Sequence, residues 1–226
     1  DLYLNKVQLD FNNFFQSASG ASSALARQNY WGGPFYQNAY SPSSFDGIWS
    51  TAYSGVIANA DAMIPLAQSQ KKYIQSGMAR VMKAYTYGTL VDMFGDVPYS
   101  NAVKGADNTT PSVDGGAAVY AAVQNLLDSA IVDLTTTGAA AAPKTDLYYG
   151  GSAAKWVTLA KTLKLKFYMQ ARLVDAGAKA KIQAFFKDKK RIVIVQGDNP
   201  DADSLSSSLA LEQILSTFDI EPYMYC

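Results

Sequence analysis

The sequence contains no histidine, one cysteine and, among 226 residues, only two glutamates, Glu212 and Glu221. Without histidine there is no ordinary general base for a hydrolytic triad and no imidazole for a metal. The single thiol, Cys226, excludes an internal disulfide framework and a multi-thiolate zinc site. Net charge is also absent, because 19 Lys and Arg balance 19 Asp and Glu. That balance argues against nucleic acid or an anionic membrane surface as a partner, since both require a cationic face. No run reaches the roughly 18 apolar residues of a membrane span. Asp1 opens directly onto patterned sequence with neither a charged n-region nor an apolar h-region, so a secretory signal is expected to be already gone if the protein is exported. What remains is a chain that is 49% apolar, enough to bury the core of one large domain or two small ones.

Apolar periodicity organises that core into helices. Leu4, Val7, Phe11, Phe14, Phe15 and Ala18 share one helical face. From Ala21 to Phe45 the period is lost among Gly32, Gly33, Pro34, Pro42, serines and aromatics, which predicts a long ordered loop. Asp46 suits the cap of a second helix carrying Ile48, Trp49, Ala52, Tyr53, Val56, Ile57, Ala60, Met63, Ile64 and Ala67. A third helix, from about Lys72 to Phe94, has apolar residues on more than one face and is expected to lie between neighbours; Gly95 and Pro98 stop it. A fourth bears Val119, Tyr120, Val123, Leu126, Leu127, Ala130, Ile131 and Leu134. A fifth carries Trp156, Leu159, Ala160, Leu163, Phe167, Ala171 and Val174 on one stripe.

The predicted fold is mainly all-α. It is a tetratricopeptide-like right-handed stack in which two αα-hairpins follow the first helix, with degenerate repeats because the connections differ in length. After Lys179 the texture changes to a Lys-rich helix, a β-type run Ile192–Val195, an acidic loop and an apolar helix from about Leu209 to Phe218. Residues 1–180 are accordingly assigned to a helical region and residues 181–226 to a tail.

Three blocks then combine: AYTYGTLVDMFGDVPYSNA from Ala84 to Ala102, DLYYGG from Asp146 to Gly151, and WVTLAKTLKLKFYMQAR from Trp156 to Arg172. With Pro111, Asp114 and the Tyr120 helix between them, they resemble the SusD/RagB family of surface lipoproteins, most closely its SusD-like branch. Both turn blocks make sense as structure. FGDVPYS packs a helix stop, a carboxylate and a φ-fixing proline into one exit; in DLYYGG, Asp146 can bond turn amides while Trp156 anchors the helix that follows. Asn101 stands where the family usually has Glu.

The resemblance covers roughly residues 1–180 and corresponds to the N-terminal half of a typical member. The chain is therefore expected to be a fragment, and the family's lipidated N-terminal cysteine is not in it. The family implies a non-catalytic protein at the outer-membrane surface of a Bacteroidota-type bacterium. Its members capture oligosaccharides, in some branches peptides, and cap a SusC-like TonB-dependent transporter as a lid.

Against that background the segment Asn29–Tyr40, NYWGGPFYQNAY, is the candidate ligand surface. Sugar rings stack their C–H faces on aromatics, and neutral amides bond hydroxyls without the desolvation cost of a charge. Trp31, next to Gly32 and Gly33, is the first choice of platform and Tyr36 the second, with Tyr30, Asn29, Gln37 and Asn38 beside them. The same aromatics suit the anchoring of a long loop to the helices, and both roles remain open at this stage. Trp49 and Trp156 fall on apolar stripes and are assigned to the core.

Asp198–Asp203, DNPDAD, lacks the glycine and distal glutamate of an EF-hand and reads as a solvated acidic turn; the Lys187, Lys189, Lys190 and Arg191 run reads as a solvated helix end. No cofactor or metal is assigned. Asp92 and Asp96 are the available pair for glycosidic cleavage, but they span a helix terminus and nothing raises one pKa above the other. Alternatives to glycan capture are a helical-repeat scaffold for a protein or peptide segment and, behind it, a carboxylate glycosidase.

Overall fold

The computed structural model describes residues 2–26, 28, 41–187, 193–195, 211–217, 221 and 223–225. They belong to two compact units, Asp1–Leu163 and Lys164–Cys226. Helices dominate, and the architecture is a tetratricopeptide-like stack of antiparallel helix pairs with long connections.

In the first unit, α1 (Leu2–Leu25) buries Leu4, Val7, Phe14 and Ala18, as the spacing predicts. It continues through Ala21–Leu25, where the sequence reads as loop. Ala24 is buried there, and alanine and leucine are strong helix formers, so the helix persists until its apolar contact ends. Phe15, assigned to the buried face, is 44% exposed at the margin, where its ring meets Phe11 and Tyr85.

The second predicted helix is a composite rod. A 3-10 turn (Pro42–Phe45) leads into α2 (Asp46–Ser50), a π-helical segment (Thr51–Ile57) and α3 (Ala58–Ser69). Asp46 does not cap it. The start lies one turn earlier at Ser41, whose backbone N–H donates to Ser44 Oγ at 3.2 Å, with Pro42 in the first position, where its missing N–H costs nothing. The π segment follows from local competition for carbonyls. Thr51 Oγ1 donates to the Gly47 carbonyl at 2.7 Å, Ser54 Oγ to that of Ser50, and Asn59 Nδ2 to that of Gly55 at 2.8 Å. Such back-bonding loosens the α ladder and lets the turn widen.

A short turn with Lys71 in the left-handed region (φ 55°) reverses the chain into α4 (Tyr73–Phe94). This helix is buried on several faces, through Met78, Val81, Met82, Tyr87 and Leu90 as well as Gln75, Ser76 and Thr86. α5 (Gly116–Thr135) packs antiparallel against it: Gly77 faces Ala130 and Leu134, while Gly116 faces Val91 and Gly95. Asp133 closes the pair from α5, accepting from Ser76 Oγ at 2.6 Å and Arg80 Nε at 2.9 Å.

α6 (Ala153–Ala171) buries Trp156, Ala160, Leu163 and Phe167. It stops before Val174, which the predicted stripe includes. Leu173 and Val174 are 85% and 89% exposed in the following turn, where Asp175 accepts from the Gly177 N–H at 2.8 Å. In the second unit α7 (Ala178–Phe186) buries Ala178 and Ile182. β1 (Val193–Val195) and β2 (Tyr223–Tyr225) pair in parallel, with Val193 opposite Tyr223. Residues 211–216 are helical, as expected for that stretch, and Leu215 is buried.

Candidate functional site

The six ligand-binding candidates Asn29, Tyr30, Trp31, Tyr36, Gln37 and Asn38 all lie outside the described residues, as does the acidic Asp198–Asp203 turn. Among the described residues, no group of three or more His, Cys, Asp or Glu side chains is placed to hold a metal ion. No described helix is long and apolar enough to cross a membrane.

The structure draws attention instead to the rod. Trp49, assigned to the core from its stripe, is only half-buried, and with Tyr53, Ser54 and Ala58 it forms one wall of a groove of about 430 Å³. The opposite wall is the 95–115 connection, through Pro98, Ala102, Val103, Gly105 and Pro111. The wall residues on the rod run from the end of α2 through the π segment to the start of α3. The Trp49 and Tyr53 rings lie 4.9 Å apart, and Trp49 also meets Phe94 edge to face at 5.3 Å. Val103 is held at φ 56°, an uncommon position for a β-branched residue that marks strain in this wall.

Carboxylates hold the connection in place. Asp114 accepts from the Tyr99 and Ser100 backbone N–H groups at 2.8 and 2.9 Å and from Ser100 Oγ at 2.8 Å. The Ser100 amide and hydroxyl, followed by the Tyr99 amide, keep its carboxyl below the ordinary value. Val97 and Asp114 also exchange backbone hydrogen bonds of 3.2 and 3.0 Å. Tyr53 fastens the connection to the rod by donating its hydroxyl to the Pro98 carbonyl at 2.7 Å. Burial, then the nearby Asp114 charge, push the Tyr53 phenol well up, so it remains a donor at physiological pH.

Both members of the possible acid pair have partners in the second hairpin. Asp96 accepts from the Gly116 N–H at 2.8 Å at the start of α5, and Asp92 accepts from the Tyr120 hydroxyl. Both are occupied in joining α4 to α5.

The DLYYGG turn behaves as its composition suggests and does more. Asp146 is buried and accepts from the Tyr148 N–H at 3.0 Å, the Gly151 N–H at 2.8 Å and the Trp156 indole N–H at 2.9 Å. Burial alone would raise its pKa, but these donors outweigh it and hold the carboxyl below the ordinary value. Trp156 is fully buried, as predicted. The residue that sequence reasoning missed is Gln8. It is fully buried on the apolar face of α1, donates from Nε2 to the Thr145 carbonyl at 3.0 Å and accepts the Leu147 N–H at 2.8 Å. Its only signal in the sequence is a glutamine one turn after Leu4 on an otherwise apolar stripe.

Comparison with known proteins defines the class to which this helical scaffold belongs. The family model for SusD-like proteins, described as starch-binding and associating with the outer membrane, matches residues 5–206. The chain is a member of that SusD-like family. Among solved structures, a SusD/RagB family protein from Bacteroides thetaiotaomicron is 24% identical, with a TM-score of 0.62 over 82% of this chain and 41% of its own. A chitin-binding protein, also 24% identical, gives a TM-score of 0.67 over 82% of this chain and 42% of its own. A chitin-binding SusD homolog from Flavobacterium johnsoniae gives 0.57 at 23% identity, over 84% and 39%. The chain thus spans about two fifths of the length of these structures. No curated protein matches it.

Proposed function

We propose that this protein captures oligosaccharides at the outer-membrane surface of a Bacteroidota-type bacterium and hands them, chemically unchanged, to a SusC-like TonB-dependent transporter. The observation that carries this is the starch-binding, outer-membrane-associated family model, which spans residues 5–206. The chitin-binding relatives point to the same ligand class. In this proposal the helical region 1–180 is the scaffold, residues 181–226 are the remnant of a further C-terminal region, and a lipid anchor belonging to the whole protein holds it to the membrane. Trp31 is the stacking platform and Tyr36 the second ring, with Tyr30 beside them; Asn29, Gln37 and Asn38 bond hydroxyls. Because stacking and hydroxyl bonds in wet surroundings are weak individually, capture depends on several contacts at once.

Affinity electrophoresis against a polysaccharide panel tests this. Retardation by a glycan, with no reducing ends released over time, is the expected result. Retardation should be clearly weakened in Trp31→Ala and unchanged in Tyr40→Ala. Peptide binding without glycan retardation would instead support a repeat scaffold for polypeptides, and accumulating reducing ends would make the protein a glycosidase.

A further inference from the structure

We propose that the groove between the π segment and the 95–115 connection is a second binding site, taking one or two rings of a neutral sugar chain with Trp49 as the stacking face. This rests on the glycan-capture function proposed above and adds a site to it. The groove's volume, about 430 Å³, falls within the range of small-molecule sites, roughly 300–1,000 Å³.

None of its described lining residues is charged. A charged ligand would lose hydration there without meeting a counter-charge, whereas the C–H face of a neutral sugar loses little. Trp49 has the remaining attributes of a platform. Its orientation is fixed by the edge-to-face contact with Phe94 and the neighbouring Tyr53 ring, and it is only half-buried. The Tyr53 hydroxyl is committed to Pro98, so Tyr53 contributes a wall and not a polar contact. The Asp114 clasp and the Tyr53 bond hold both walls before any ligand arrives, and this preorganisation lowers the ordering cost of binding.

The test uses the full chain with maltohexaose and chitohexaose as probes, followed by indole emission, and with soluble starch or glycol chitin in affinity gels. In Trp31→Ala only Trp49 and Trp156 emit, and Trp156 is buried. A saturable, sugar-dependent emission change in that variant, absent from Trp31→Ala combined with Trp49→Leu, is expected. Trp49→Leu alone should weaken gel binding about two- to tenfold, the range for one lost aromatic contact. Ser54 lines the groove from an exposed position, so Ser54→Phe fills it without touching the core and carries the test even where Trp49→Leu fails to fold. Unchanged binding in folded Ser54→Phe overturns the groove and leaves capture through the Trp31 loop standing. Failure of the unaltered chain to bind any glycan overturns both.

Discussion

Asp146 shows how much one side chain can organise. Three donors converge on a buried carboxylate and tie a turn to the indole of the following helix. Truncation would leave those donors facing a void, and stranding buried polar groups costs about 1–3 kcal/mol each. Asp146→Ala is therefore expected to lower the thermal midpoint clearly and to change the near-ultraviolet circular dichroism of Trp156. The pH dependence follows from the same contacts. Because the folded carboxyl titrates below its ordinary value of 3.8, its stabilisation is fully present above that value and is lost as pH falls through the lower, folded one. Asp114 is depressed in the same direction and adds to the same acid limb. Thermal midpoints measured across the acid range should fall less steeply in Asp146→Asn than in the unaltered chain. An unchanged slope would mean that the carboxylate is not held as described.

At the scale of elements, the α4–α5 contact is set by the absence of a side chain. A Cβ on Gly77 would lie 2.5 Å from Leu134 Cγ and 3.0 Å from the Ala130 carbonyl oxygen. Helix propensity alone favours alanine over glycine by about 1 kcal/mol. The clash opposes that preference, and because the obstacles are a branched carbon and backbone rather than a flexible tip, relief requires the helices to separate. Overpacking of this kind costs about 1–3 kcal/mol, so Gly77→Ala should destabilise on balance in denaturant titration. A more stable variant would show that the pair can repack. Between the rod and the 95–115 connection the decisive link is the Tyr53 hydroxyl. Tyr53→Phe should cost about 1 kcal/mol and speed hydrogen exchange at Tyr99 and Ser100 while leaving α4 and α5 protected.

For the whole molecule, the balance of 19 positive against 19 negative residues carries into the expected binding behaviour. Neutral sugar contacts release no condensed counterions, so gel retardation by a neutral polysaccharide should be insensitive to added salt. A steep loss of binding with salt would indicate that charge, not stacking, dominates recognition.

Local periodicity was sufficient to find the helices because the 3.6-residue spacing of apolar side chains is written into adjacent sequence, as Leu4, Val7, Phe14 and Ala18 show in α1. The FGDVPYS and DLYYGG blocks were readable for a related reason: a helix stop and an amide-binding aspartate act within a few residues of themselves. Polar partnerships were not readable. Gln8 meets Leu147 across 139 residues and Ser76 meets Asp133 across 57, and no local pattern specifies a partner so distant. The Trp49 groove was missed for the same reason, since a helical stripe gives the direction of a side chain but not whether the facing chain closes over it. The order of helices and the family were thus determined by sequence alone. Which polar groups are buried, and where an aromatic stays open, was decided only when tertiary packing brought remote backbone alongside, because desolvating a polar group is tolerated only where a partner arrives to replace water.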